Sequence, residues 1–197
     1  MLHQDPNIAP YIKSVKASCS GPSFPADSNA LFTALQKCTH VASLDLMFDE
    51  DTTGDQDLED WTLRLPSLHT LEISGGPIPC NVVEALLSTC SSLASLNLTS
   101  VGFICDGSPS QRRKTPVRRM YIESCAGSDL NAGTRLSASM AGLQEIKVAF
   151  NYEGDAEFAG EVIRAIGGDL RQLQMSMQWD LASEAHSTHL TACSLKT

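Results

Sequence analysis

One short pattern, apolar-x-x-apolar-x-apolar, recurs along the chain. Its copies place Ile12, Val15 and Ala17, then Val41, Leu44 and Leu46, Leu68, Leu71 and Ile73, and Leu93, Leu96 and Leu98 at equivalent positions. Val117, Met120 and Ile122, Leu143, Ile146 and Val148, and Leu170, Leu173 and Met175 complete seven copies, and Leu190, Cys193 and Leu195 offer an eighth. The seven begin at 12, 41, 68, 93, 117, 143 and 170, a period of about 26 residues. In each copy positions four and six are apolar and positions three, five and seven mostly polar, the alternation of a strand buried on one side. Apolar residues recurring at three and four over 30–35, 82–87 and 158–166 predict helices between the strands. Asp27, Ser28, Asn29 and Asp155 stand where N-caps belong, and Gly167 and Gly168 where a helix stops. These elements predict an α/β chain, a single domain over 1–197 of seven to eight irregular repeats. It is a short curved solenoid with a parallel sheet on the concave side and helices and loops on the convex side.

The alternation leaves one sheet face uncovered, and open concave sheets are where repeat solenoids bind partners. Positions two, three, five, seven and eight are expected there, which assigns Cys19, Phe48 and Phe150 to that face along with the polar residues. Its candidate partner-binding residues are Asp45, His69, Glu72, Arg118, Arg119, Tyr121, Glu123, Glu145, Lys147 and Arg171. The richest patch lies between Arg118 and Lys147, and Arg and Tyr are enriched at binding hot spots, so Arg118, Arg119 and Tyr121 are placed at its centre. The bland alternative for each residue is a solvated face.

The apolar fraction, 42% of 197 residues, is enough for a core, and the chain is of neither low-complexity nor disordered composition. With 14 Lys and Arg against 23 Asp and Glu the net charge is −9, which argues against phosphate-backbone binding and nucleic acid. Seven cysteines with no CxxC indicate no disulfide framework and no zinc ribbon, so reduced thiols in a cytoplasmic or nuclear protein are expected. The N-terminus lacks a signal-peptide pattern, and no apolar run is long enough for a membrane span.

The copies resemble the leucine-rich repeat, whose strand signature is LxxLxLxxN/C. Position nine is Ser20, Asp49, Gly76, Val101, Cys125, Asn151 and Gln178, so Cys125 and Asn151 match the signature and the other five depart from it. The opening from Asp5-Pro6-Asn7-Ile8-Ala9-Pro10-Tyr11 to Val15 is similar to the start of the repeat region in F-box and leucine-rich-repeat proteins of mushroom-forming fungi. So are Cys38-Thr39 and Thr89-Cys90 ahead of strands and the lead-in Leu65-Pro66-Ser67-Leu68. The resemblance spans nearly the full chain through short, degenerate motifs. It implies a leucine-rich-repeat solenoid whose repeats choose the substrate of a cullin-type ubiquitin ligase, while an F-box docks the ligase adaptor. With four residues ahead of Asp5 no F-box is expected here. The absence of a polar capping unit before Thr197 reads as a fragment or a shortened relative.

Other motifs are weaker. Residues 49–60 place oxygen donors at positions one, three, five, seven and nine with Gly54 at six, as in a calcium-binding EF-hand loop. Asp60 replaces the bidentate Glu, Gln56 the usual aliphatic residue, and a strand rather than a helix precedes the loop, so an acidic solvated loop is the simpler reading. Arg112, Arg113, Lys114, Arg118 and Arg119 crowd five of the 14 basic residues into eight positions, along the longest irregular connection, 101–116. His186 and His189 lack a third ligand. No nucleophile elbow, P-loop or dinucleotide fingerprint is present, so neither an enzyme nor a cofactor, metal or small-molecule substrate is expected. The expectation is a protein-binding module, and the resemblance implies the substrate-recognition arc of an F-box-type ubiquitin ligase receptor. Its rivals are a calcium-responsive regulatory domain built on 49–60 and a truncated remnant without function.

Overall fold

A computed structural model describes residues 8–19, 31, 33–49, 65–105, 114–127, 131–151, 155–177 and 188–190. Seven parallel strands begin at position three of the seven copies: β1 (Ser14–Cys19), β2 (Ser43–Phe48), β3 (Thr70–Ser74), β5 (Ser95–Thr99), β7 (Arg119–Glu123), β9 (Glu145–Phe150) and β10 (Gln172–Met177). They pair in that order, with Ser14, Ser43, Thr70, Ser95, Arg119, Glu145 and Gln172 opposite one another. The same hydrogen bond recurs at all six junctions: the position-three N–H donates to the position-two carbonyl of the preceding copy, at 2.9–3.1 Å. No slip is tolerated, because shifting one strand by one residue would exchange its buried and exposed side chains.

Position four stacks Leu44, Leu71, Leu96, Met120 and Ile146, and position six Leu46, Ile73, Leu98, Ile122 and Val148, all buried. Val15 on β1 and Leu173 on β10 are only half-buried. The stacks pack against helices α1 (Cys80–Thr89), α2 (Ala132–Ala138) and α3 (Asp155–Ile166), which contribute Val83, Leu86, Leu136, Phe158 and Val162. A helical segment over 33–36 answers the expected first helix, and Gly167–Asp169 ends α3 as a 3-10 turn. Among the described residues no helix is long and apolar enough to cross a membrane.

Several expectations are corrected. Position eight of β1 and β2 does not face outward: Cys19 and Phe48 are buried and Phe150 is half-buried, because the alternation continues for one more residue in the six-residue strands. In the middle copies the strand ends at position seven, and Gly75, Ser100 and Ser124 turn the chain through positive φ. Gly75 is required there, since at its positive φ a Cβ would collide with the Phe48 carbonyl oxygen. These turns deliver β4 (Pro77–Pro79), β6 (Gly102–Ile104) and β8 (Ala126–Gly127) into a second parallel sheet. The 101–116 connection is therefore not wholly irregular. Beyond β10, β11 (Thr188–Leu190) pairs antiparallel with it, and residues 191–195 of the expected eighth copy lie outside the described residues.

Cys80 and Cys105 form a disulfide with Cα atoms 5.1 Å apart, against the expectation of reduced thiols. They lie 25 residues apart, one repeat, and so fall side by side at the ends of paired β4 and β6. Cys19, Cys38, Cys90 and Cys125 are free and buried. Burial pushes the thiol of Cys19 up to about 12 and that of Cys125 up to about 11, so neither is a nucleophile at neutral pH.

Helix α2 has no clear apolar period, and buried polar contacts hold it. Arg135 Nε donates to Glu84 Oε1 of α1 at 2.6 Å and Arg135 Nη2 to Glu84 Oε2 at 3.4 Å, with both side chains buried. On its other side the Gly133 N–H donates to Glu161 Oε2 of α3 at 2.9 Å. A Cβ at Gly133 would approach the Phe158 carbonyl oxygen to 2.7 Å, so the glycine sets the spacing of α2 and α3. Glu84→Ala should lower the unfolding free energy by about 3–5 kcal/mol by removing the carboxylate that the buried Arg135 guanidinium faces. In chemical denaturation Glu84→Leu/Arg135→Met should lose less than Glu84→Ala; an equal or larger loss contradicts this account of α2.

Candidate interaction site on the open sheet face

The polar alternation leaves positions three, five and seven as rows across β1–β10, with position two at the edge where the strands begin. Small residues fill much of the third row, Ser14, Ser43, Thr70 and Ser95, before it changes to Arg119, Glu145 and Gln172. The fifth row reads Lys16, Asp45, Glu72, Asn97, Tyr121, Lys147 and Gln174. Small side chains beside long ones leave a hollow. Ser95 and Asn97 of β5, Arg119, Met120 and Tyr121 of β7, and Glu145 and Lys147 of β9 line a cavity of about 200 Å³, the volume of one or two side chains.

Every one of the ten candidate residues lies on these rows or their edge. Asp45 receives Lys16 Nζ at 2.8 Å, and this hydrogen bond and charge raise the Lys16 ammonium above its ordinary value. Glu72, on the next strand, adds to that rise. His69 is exposed at the edge, its Nδ1 2.6 Å from the Ser67 carbonyl oxygen. Tyr121 donates its hydroxyl to Glu123 Oε2 at 2.8 Å. Burial first, and then this bond, push Tyr121 up to about 12. Lys147 Nζ lies 3.6 Å from Glu145 Oε1. Arg118, Arg119 and Arg171 are exposed and lack a carboxylate within ion-pair distance among the described residues.

The structure thus gathers Arg119, Tyr121, Glu145 and Lys147 around one hollow, places Arg118 and Arg171 outside its lining at the sheet edge where the strands begin, and leaves Asp45, His69 and Glu72 on the strands before it. Ser95 and Asn97 were absent from the candidates. Their signal was small size beside Arg119 and Tyr121, which sequence shows only once the register is fixed. A larger cavity of about 490 Å³, where α2 and α3 end, has only Lys114 and Asp169 as charged lining, so it lacks the convergent polar groups of a specific site. Among the described residues no group of three His, Cys, Asp or Glu is placed to hold a metal ion. Of the 49–60 loop only Asp49 is described; 50–60, Arg112, Arg113 and His186 lie outside the described residues, while His189 sits in β11. No family model matches the chain, and no curated protein aligns with it.

Because the folded-state value of Tyr121 lies above its ordinary value of 10.0, this side chain favours folding below pH 10, and that contribution is lost as pH rises toward about 12. The phenolate absorbance difference between the wild type and Tyr121→Phe should titrate near 12, and Glu123→Gln should lower that midpoint. A midpoint at the ordinary value contradicts the half-buried, hydrogen-bonded ring.

Proposed function

We propose that the chain is a leucine-rich-repeat solenoid whose open sheet face, the concave side of the arc, binds a protein partner around Arg119 and Tyr121. The observation that supports this most is the coincidence of a side-chain-sized hollow with the aromatic and arginine residues of the face. Half-buried Tyr121 is held by Glu123, so it offers a rigid ring at little cost in conformational entropy. Two observations support reading the face as a binding surface: the carboxylates Glu123 and Glu145 are engaged by Tyr121 and Lys147, and the described free thiols are buried. The reading is a binding module and not an enzyme.

A narrower form of the proposal is that the partner is the substrate of an F-box-type ubiquitin ligase receptor in the cytoplasm or nucleus. It rests on the resemblance of the 5–15 segment and of the Cys-Thr lead-ins. With Cys80 and Cys105 joined, reduced thiols no longer support that compartment. The binding face itself is tested by affinity capture from a cell lysate with three baits: the wild type, Arg119→Ala/Tyr121→Ala, and Glu157→Ala on the exposed side of α3. Proteins retained by the wild type and Glu157→Ala and lost with the double variant are expected. Identical recovery by all three contradicts the proposal.

A further inference from the structure

The face differs in charge from the molecule that carries it. Across β1–β10, positions two, three, five and seven hold six Lys and Arg (Lys13, Lys16, Arg118, Arg119, Lys147, Arg171) against four acids (Asp45, Glu72, Glu123, Glu145), whereas the chain as a whole has 14 against 23. The excess is not evenly spread. On the first three strands Lys16 is paired with Asp45, and Glu72 lies beside them. On β7–β10 Glu145 is engaged by Lys147 and Glu123 by Tyr121, which leaves Arg118, Arg119 and Arg171 without a carboxylate among the described residues. Arg119 stands at the hollow, opposite Ser95, whose hydroxyl can donate beside it. Arg118 and Arg171 are two strands apart at the same edge, about 10 Å, a distance an extended chain covers in about three residues.

From this charge pattern we propose that the partner presents an extended acidic segment, one carboxylate of which enters the hollow at Arg119, Ser95 and Asn97, with Arg118 and Arg171 receiving its neighbours. The inference rests on the binding-face reading above and names the class of partner. Guanidinium groups suit this task because their planar donor fork matches a carboxylate in two parallel hydrogen bonds. The chain as a whole has an acidic excess, so an acidic segment is attracted most where the three arginines cluster, which favours one register over others. The same excess opposes a nucleic-acid strand, whose evenly spaced phosphates would meet the repelling surface beyond the patch.

The test measures fluorescence anisotropy of a labelled polyglutamate peptide of about eight residues, long enough to cross most of the strands, with the full-length chain. A polyglutamine peptide, a polylysine peptide and a single-stranded oligothymidylate of similar length serve as the other probes. Polyglutamate should bind more tightly than the other three, and raising salt from about 50 to about 300 mM should weaken it. Arg119→Gln/Arg171→Gln should reduce its affinity about tenfold or more, while Lys37→Gln, an exposed charge away from the sheet, should change it less than about twofold. The proposal is overturned if polyglutamine, polylysine or oligothymidylate binds as well as polyglutamate, if polyglutamate does not bind, or if the arginine and Lys37 variants lose affinity equally. A protein captured through Arg119 and Tyr121 while polyglutamate fails to bind would overturn the acidic class and leave the binding face standing.

Discussion

Six repeated backbone hydrogen bonds, each from a position-three N–H to the position-two carbonyl of the copy before, are the constraint on which the structure depends. Together with the ladder they hold positions four and six in two continuous apolar layers, which no single repeat could bury alone. The side-chain period of a strand is two, so the bonds that seal one face also fix which residues are presented on the other. Core and candidate site are two consequences of one register.

The copies differ in length from 24 to 29 residues between starts, and the differences are absorbed away from the strands. Where the strand ends at position seven, a residue of positive φ redirects the chain into the second sheet, and Cys80 and Cys105, directly after β4 and β6, are then adjacent. On the helical side the buried Glu84–Arg135 pair joins helices two copies apart, and the Glu161–Gly133 contact joins helices of consecutive copies. These polar contacts fix how the helices sit on the apolar layers, which Leu and Val contacts alone would leave less specified. A stiff backing in turn keeps the spacing of Arg118, Arg119 and Arg171 on the far face.

The register, the strand positions and the rows of the open face were legible in the sequence, because Leu44, Leu46 and their equivalents repeat with polar residues between them. The resemblance to F-box and leucine-rich-repeat proteins extended that reading to a partner class, and it remains a resemblance. Helix α2 was not legible: Ala132 and Leu136 are too few to mark a period, and Gly133 and Arg135 matter through contacts with other repeats. The second sheet was hidden because β4, β6 and β8 have two or three residues each. The disulfide was hidden because Cys80 and Cys105, 25 residues apart, come together only through the second sheet, which the strand pattern does not reveal. Position eight was misread because in β1 and β2 it continues the alternation inward, while in the middle copies it turns. The hollow depends on the sizes of neighbours in different strands, which a pattern within one strand does not contain.

The central claim is that one register buries one side of each strand and exposes the other, and hydroxyl-radical footprinting read by mass spectrometry tests it without altering the chain. Met47 and Met120 make the sharpest pair, since both are methionines of equal intrinsic reactivity, one 39% exposed at position seven and the other 2% exposed at position four. Fast oxidation of Met47 with protection of Met120 is the predicted result. Oxidation of Met120 as fast as Met47 would contradict the register and, with it, the open face built from it.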